Sequence, residues 1–474
     1  MNAARRAPAR DGAPTDTAPT VAFDFAHRLL ALSAWVRRQR WLQGLYRLFP
    51  QRARDGVSSI LAYRASRRAR FVRTPAWSRP IPPLAAAAAA APVVGGGAGV
   101  NILGYLRGQF GLAESARMYA RALIGAGYPV ALFDVSIAIP HGVDDRSVDA
   151  HIGEGTPHPT SIVFVNPDYL QPALEHIGAE RLRGKRLIAC WFWELQDIPH
   201  DWLESIELVD EIMVASEFVK EAFERVTDKP VFRVPLPLSP VPDSGLQRSD
   251  FGLPEDAFVF LCSFDFNSWV DRKNPFAVIE AFRRAFPDGG DNVRLMVKTS
   301  NAHRHPDKFL RLLTASAQDP RIVVRDEVID RAHVCALQRC ADVYVSLHRA
   351  EGFGLGLAEC MAMGKPIIGT AWSGNLDFMD ADNSCLVGYR LVPVGEGEYP
   401  HPQGAHWAEA DVDEAAAHMR KLAGSPQFAR ELGARAKRDI EQRLSPALAA
   451  SLLAQRLDAP AAAMRGAHAG GAQP

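Results

Sequence analysis

The amino-acid sequence predicts an α/β protein with two doubly wound parallel sheets, a cleft between them, and a basic helical extension ahead of both. Three observations lead there. From residue 100 onwards, short apolar runs alternate with stretches of helical periodicity. A segment with four prolines, Pro235–Ser249, divides that alternation into two blocks. The chain has 474 residues, 47% of them hydrophobic, enough for two or three domains with full cores.

The elements follow in order. Residues 1–20, rich in Ala, Pro, Arg and Thr, read as disordered. Residues 21–72 read as two basic helices. In the first, Leu29, Leu30, Leu32, Trp35, Trp41, Leu42, Leu45 and Leu48 interleave with Arg28, Arg37, Arg38, Arg40 and Arg47. The second follows Pro50 and runs through Arg64, Arg67, Arg68 and Arg70. Such helices suit an anionic membrane surface, or equally a hairpin packed on the body with its arginines in water. Pro80, Pro82, Pro83, the run Ala85–Ala91, Pro92 and Gly95–Gly97 read as a spacer closing a 1–98 extension.

A first domain over 99–245 is expected to hold strands at Val100–Tyr105, Pro129–Val135, Ser161–Val165, Leu187–Phe192, Glu211–Val214 and Val231–Val234, with helices at Glu114–Ala126 and Glu217–Val226. A second over 246–445 is expected to hold strands at Phe258–Phe264, Val293–Lys298, Ile322–Arg325, Val343–Leu347 and Pro366–Thr370, with helices at Pro275–Phe286, Arg331–Arg339 and Leu357–Met363. A helix and flexible tail occupy 446–474.

The 54 basic and 54 acidic residues cancel overall. Residues 1–80, however, carry sixteen Arg and four Asp, a local excess of +12 that the body balances with −12. Nothing here calls for nucleic acid. The six cysteines form no C-x-x-C pair and read as buried thiols of a reducing compartment. No apolar run reaches membrane-span length, and the N-terminus lacks the order of a secretory signal. A cytoplasmic protein is expected, with the basic arm offering attachment to the inner membrane face.

The chemistry concentrates in Ser346–Asn375, SLHRAEGFGLGLAECMAMGKPIIGTAWSGN. A strand leads into a loop holding Glu351, Gly352, Phe353 and Gly354. A helix then starts near Leu355, and Glu359 lies in its first turns. Glycines let backbone pass close to a ligand, and free amides at a helix start suit a diphosphate. An ionised carboxylate accepts from two vicinal hydroxyls, so one glutamate can take donor-sugar hydroxyls and the other a ribose diol.

The pair Glu351-x7-Glu359 with GFG between resembles the signature of retaining GT-B glycosyltransferases of the group 1 (family 4) class. The resemblance spans roughly residues 100–440 through GYLRGQFGLAESAR, WFWEL, SEFVKEAF, FDFNSWVDRKNP, the acidic motif and SGNLDFM. It implies two Rossmann-like domains, the first for acceptor and the second for donor. The substrates it implies are a nucleotide-diphosphate sugar and a saccharide or lipid-linked acceptor, with no cofactor and no metal.

Lys273 is expected to neutralise the departing diphosphate. An arginine usual five positions earlier is Ser268 here, so Arg272 or Lys298 is the candidate second cation. Glu351 would hold the donor sugar and Glu359 the ribose. Gly352, Phe353, Gly354 and Leu355 would face the diphosphate, with His348, Ser373, Gly374 and Asn375 lining the donor pocket. In the first domain the glycine loop offers Gly108, Gly111 and Glu114. The usual histidine after a later strand is replaced by Trp191-Phe192-Trp193-Glu194. Glu194 and Trp193 either contact a sugar or form a core Trp pair with a rim acid. Asn166 and Asp168 are candidates for acceptor hydroxyls.

Asp380-Ala-Asp382 and Asp411-Val-Asp413 match a metal-binding D-x-D string, but read as turn or cap acids that follow no strand. The glycine spacing is wrong for a nicotinamide fingerprint. The rival functions are a phosphorylase or sugar-nucleotide epimerase on the same scaffold, and a non-catalytic binding module.

Overall fold

The computed structural model describes residues 69–79, 98–137, 141–240, 242–289 and 292–459, together with Arg28, Leu32, Trp35 and Gln39. Arg28, Leu32 and Trp35 are helical and exposed. The rest of the two basic helices up to residue 68, the alanine spacer and the tail from residue 460 lie outside the described residues.

The first sheet contains β1 (Val100–Gly104), β2 (Val130–Asp134), β3 (Thr160–Phe164), β4 (Arg186–Cys190), β5 (Glu211–Val214) and β6 (Val231–Arg233). Its order is β2-β1-β3-β4-β5-β6, and every pair is parallel. All five residues of β1 and of β3 are buried. Helices cover each face, so the strands are mostly apolar, and the buried Asn101 side chain of β1 bonds the Thr160 carbonyl and Ser161 hydroxyl of β3. The helices are α1 (Gly111–Gly125), α2 (Pro167–Ile177) and α3 (Glu217–Glu224). Ser216 caps α3 by accepting from the Val219 amide.

The second sheet contains β7 (Phe258–Asp265), β8 (Val293–Ser300), β9 (Ile322–Asp326), β10 (Val343–Ser346), β11 (Ile367–Thr370) and β12 (Cys385–Val387), with helices α4 (Pro275–Ala285), α5 (Pro306–Ser316), α6 (Arg331–Cys340) and α7 (Leu355–Ala362). Its order, β12-β11-β10-β7-β8-β9, reverses direction between β10 and β7. In such sheets the crevice beyond that pair of strand ends takes ligands.

A hairpin of β13 (Tyr389–Pro393) and β14 (His406–Ala410) follows, then α8 (Val412–Gly424), α9 (Pro426–Arg443) and α10 (Pro446–Asp458). α10 crosses back to the first domain. Its Asp458 accepts from the Tyr128 hydroxyl at 2.8 Å, and Arg456 pairs with Glu211 at 2.6 Å. Among the described residues no helix is long and apolar enough to cross a membrane.

The structure corrects two expectations. Asp411 does follow a strand, β14, yet it still serves as a cap, accepting from the Asp413 and Glu414 amides at the start of α8. Asp380 is a turn acid, accepting from the Asp382 and Asn383 amides. The second basic helix does not continue through Arg70, which sits in a bend. The next amide, that of Phe71, donates to the Glu327 carboxylate at 3.2 Å, so it is lost to any helix. Residues 69–79 are therefore docked on the second domain.

Candidate active site

β7 delivers the cations. Beyond Asp265 the chain makes a tight turn, passes Trp269 at φ 64°, and forms one helical turn, Val270–Lys273. Asn274, at φ 49°, reverses it, and Pro275 opens α4, where its missing N–H costs nothing. Arg272 and Lys273 thereby lie beyond the carboxyl end of β7. β10 delivers the acid. The Glu351 amide donates to Ser373 Oγ at 2.8 Å, and its carbonyl accepts from the Gly374 amide at 2.9 Å. The Glu351 carboxylate bonds Lys273 Nζ and stands 3.2 Å from Arg272.

Arg272 is 4% exposed. It donates to the Ala350 carbonyl at 2.8 Å and lies 3.5 Å from Glu194. Glu194 in turn accepts from the Tyr399 hydroxyl. Two cations and two carboxylates thus alternate along one line, Lys273–Glu351–Arg272–Glu194, buried in its middle and half-buried at both ends, and the last comes from the first domain. Burial alone would raise the Glu351 carboxyl, but Lys273 and Arg272 hold it down at about 2. Burial lowers the Lys273 ammonium despite its partner.

Glycine is required where the two domains touch. A Cβ on Gly352 would lie 2.7 Å from the Trp193 carbonyl oxygen, and one on Gly374 would overlap the Gly352 carbonyl. Ser216 Oγ also donates to the Gly352 carbonyl, at 2.6 Å. The close approach at Gly352 is thus to protein backbone. Gly354, at φ 95°, turns the chain into α7. The Leu355 and Gly356 amides come before the first bonds of α7, which the Leu357 and Ala358 amides make to the Gly354 carbonyl, and they give the crevice a partial positive charge. The Phe353 side chain packs inward on Phe378.

Glu359 lies apart from this line. It is 5% exposed, 2.5 Å from Arg331, and accepts from Gln338 Nε2 at 3.0 Å. Arg331 also reaches to 3.9 Å from Glu114 of α1. Glu114 in addition pairs with the buried Arg117, which donates to the Leu106 and Gly108 carbonyls and so fixes the glycine loop. Gly108 is crowded by Phe110 and Ala113, whereas Gly111 has open space around it.

The remaining expected residues are placed as follows. Arg272, not Lys298, joins Glu351; the buried Lys298 feels Asp265 and Asp326 instead. His348 is fully buried, with one ring nitrogen on Ser346 Oγ and the other on Asn375 Oδ1, both at 3.0 Å. Burial lowers its imidazole pKa and keeps it neutral. Asn375 also donates to the Thr370 carbonyl. Asn166 exchanges hydrogen bonds with the Phe192 backbone, and Asp168 accepts from Trp202 Nε1 at 3.0 Å. Trp193 is a core ring, packed on Trp202 and Tyr399, while Glu194 is drawn into the ionic line.

Tyr399, Arg331, Gln338 and His141 were not foreseen. Tyr399 is a lone aromatic in a loop of Gly and Pro, without periodicity to signal it. His141 stacks on Phe110 with centroids 4.3 Å apart, and its Nδ1 is buried without a hydrogen bond.

Residues 257–400 match the family model described as glycosyl transferases group 1. Among curated proteins, trehalose synthase from Rubrobacter xylanophilus is 27% identical over 203 residues, 42% of each chain. Trehalose synthase from Pyrococcus horikoshii is 27% identical over 183 residues, 37% of this chain and 38% of its own. The chain thus matches about two fifths of the length of these relatives.

Among solved structures, sucrose-phosphate synthase from Thermosynechococcus elongatus superposes with a TM-score of 0.55 at 15% identity, over 76% of this chain and 98% of its own. Anabaena HepE, solved with UDP and glucose, gives 0.52 at 15% identity, over 76% and 99%. These likenesses concern the fold, two facing doubly wound sheets of the GT-B type.

Proposed function

The chain has the GT-B fold and carries a group 1 glycosyl transferase domain at residues 257–400, and from that premise we propose that it is a metal-independent, retaining transferase of the family 4 type. It moves a sugar from a nucleotide-diphosphate donor to a saccharide or lipid-linked acceptor. The observation that carries this reading is the pair of cations, half-buried Lys273 and buried Arg272, held on Glu351 at the sheet's reversal point beside the start of α7.

The chemistry follows from that placement. The donor's diphosphate lies between the α7 amides and the two cations. As the bond from the anomeric carbon to the phosphate oxygen breaks, charge builds on the diphosphate, and preformed cations and amides stabilise it without reorganising. The acceptor hydroxyl bonds to the anomeric carbon on the same face, and its proton passes to the departing phosphate oxygen. Glu351 orients the donor sugar through its hydroxyls, and Glu359 takes the ribose. The acceptor enters from the glycine-loop side, where a recess of about 250 Å3 is lined by Tyr105, Arg107, Gly108, Asp134, Ser136 and Arg146. Closure of the domains excludes water. The relatives named trehalose synthase favour a saccharide acceptor. A role in cell-surface polysaccharide synthesis, on the cytoplasmic face of the membrane, fits the family and the basic arm.

The test is thermal unfolding with UDP, GDP, ADP and dTDP, with and without EDTA, for the wild-type chain and Glu351→Gln. One nucleotide should raise the wild-type midpoint regardless of EDTA. Glu351→Gln should still bind it, because both cations remain, while transfer falls about a hundredfold or more. Near-normal turnover in that variant would sink the assignment. No stabilisation by any nucleotide would favour a binding module instead.

A further inference from the structure

Residues 69–79 form a strap on the second domain, and it grips both ends of one short loop. That loop, Glu327–Asp330, joins β9 to α6. At its first end Glu327 receives the Phe71 amide at 3.2 Å and the Arg73 guanidinium at 2.8 and 3.2 Å. At its far end Asp330 caps α6, accepting from the His333 amide at 3.0 Å and contacting His333 Nδ1 at 2.6 Å. The Trp77 ring stacks on that same His333, centroids 4.5 Å apart and planes 18° from parallel. The strap is anchored independently: Trp77 Nε1 donates to the Asp250 carbonyl at 3.2 Å, and the Phe71 and Trp77 rings enclose Phe251 at 5.7 and 5.3 Å.

The next residue after the gripped loop is Arg331. Its guanidinium lies 2.5 Å from Glu359, whose other oxygen takes Gln338 Nε2. Gln338 is 2% exposed, and its Oε1 is buried with no hydrogen-bond partner. Buried acceptors without partners are rare, and one beside a carboxylate suited to a diol points to a ligand donor. Both partners of the Glu359 carboxylate, Arg331 and Gln338, therefore stand on α6, and the start of α6 is placed by the strap.

We propose that Arg73 and Trp77 are positioning residues for the nucleoside end of a nucleoside-diphosphate ligand, acting through the Glu327–Asp330 loop to set Arg331 against Glu359. This rests on the donor reading above. The extension then has a function in the donor site distinct from any membrane attachment by its basic helices. Clamping a loop from outside lowers the ordering cost when the ligand binds.

Isothermal titration on the full chain tests this, using whichever of UDP, GDP, ADP or dTDP the wild type binds. Trp77→Ala is expected to raise Kd about tenfold and Arg73→Ala about threefold, with Trp77→Phe within about twofold of wild type. In an Arg331→Lys background the Trp77→Ala effect should shrink below about twofold, since the two act through one contact. A full tenfold effect in that background overturns the proposal, because the strap would then act as general ballast. So does an unchanged Kd in Arg73→Ala, whose side chain is 56% exposed and whose loss leaves the core intact. A wild-type chain that binds none of the four overturns the donor reading and this proposal together. Wild-type binding with unaltered variants overturns this proposal alone.

Discussion

Glu351 sits between two positive charges, and its ionisation is coupled to folding. Its carboxyl is held at about 2, against 4.5 for the free group, because Lys273 and Arg272 outweigh the burial that opposes them. A depressed carboxyl stabilises the fold at pH values above 4.5 and loses that contribution as pH falls towards 2. The stability difference between the wild-type chain and Glu351→Gln, measured by urea unfolding, should therefore be constant from pH 8 to pH 5. It should change steadily from pH 4.5 down to 2. A difference that does not vary with pH would mean that the carboxylate is unpaired.

Gly374 gives a steric prediction at the same scale. A methyl group there overlaps the Gly352 carbonyl, so Gly374→Ala should cost about 1–3 kcal/mol of stability and displace Glu351, lowering transfer as Glu351→Gln does. Three residues around this loop, Trp269, Asn274 and Ser373, hold positive φ without being glycine. Such backbone persists where neighbouring contacts over-determine it.

At the scale of elements, α9 lies against the turn that ends α7. A Cβ on Gly433 would overlap the Gly364 carbonyl, and Gly364 itself takes φ 74° to stop the helix. Gly433→Ala should push the two helices apart and lower the thermal midpoint, at a cost of about 1–3 kcal/mol. An unchanged midpoint would show that α9 can move freely.

Eleven of the twelve strands of the two sheets were legible to within a residue or two, because doubly covered parallel strands need largely apolar runs, whereas β12, three residues long, was missed. α2 was missed too, since Pro172 interrupts its pattern. The β13–β14 hairpin escaped as well. Tyr389, Arg390 and Leu391 of β13 are all exposed, so no alternation marks the strand. With it went Tyr399, whose partner Glu194 is 205 residues away. The carboxylates and Lys273 were readable from a local motif. The line that joins them to Glu194 depends on two domains meeting, which no local window contains.

At the scale of the molecule, further links tie the domains besides the contacts of Glu194 and Glu114. Ser216 bonds the Gly352 carbonyl, Asp377 accepts the Glu217 amide and pairs with Arg233, and α10 returns to α1. α10 buries Leu453 and Leu457 in the core beneath the first sheet. At about 1.5–3 kcal/mol for each buried leucine, a chain ending at Ser445 should lose at least about 3 kcal/mol in urea unfolding. If it unfolds like the full chain, α10 is only an appendage.

Four indole rings lie at or near the place where the domains meet. Of nine tryptophans, Trp193 packs on Tyr399 across the seam with Trp202 behind it, Trp269 also faces Tyr399, and Trp372 contacts Phe218 from the opposite domain. These rings are wholly or partly shielded from water as the seam now stands. Parting the domains would wet them together, so the chain's own ultraviolet emission should redden on opening and shift back to the blue on closure. The movement of the cleft can be timed without attaching a dye.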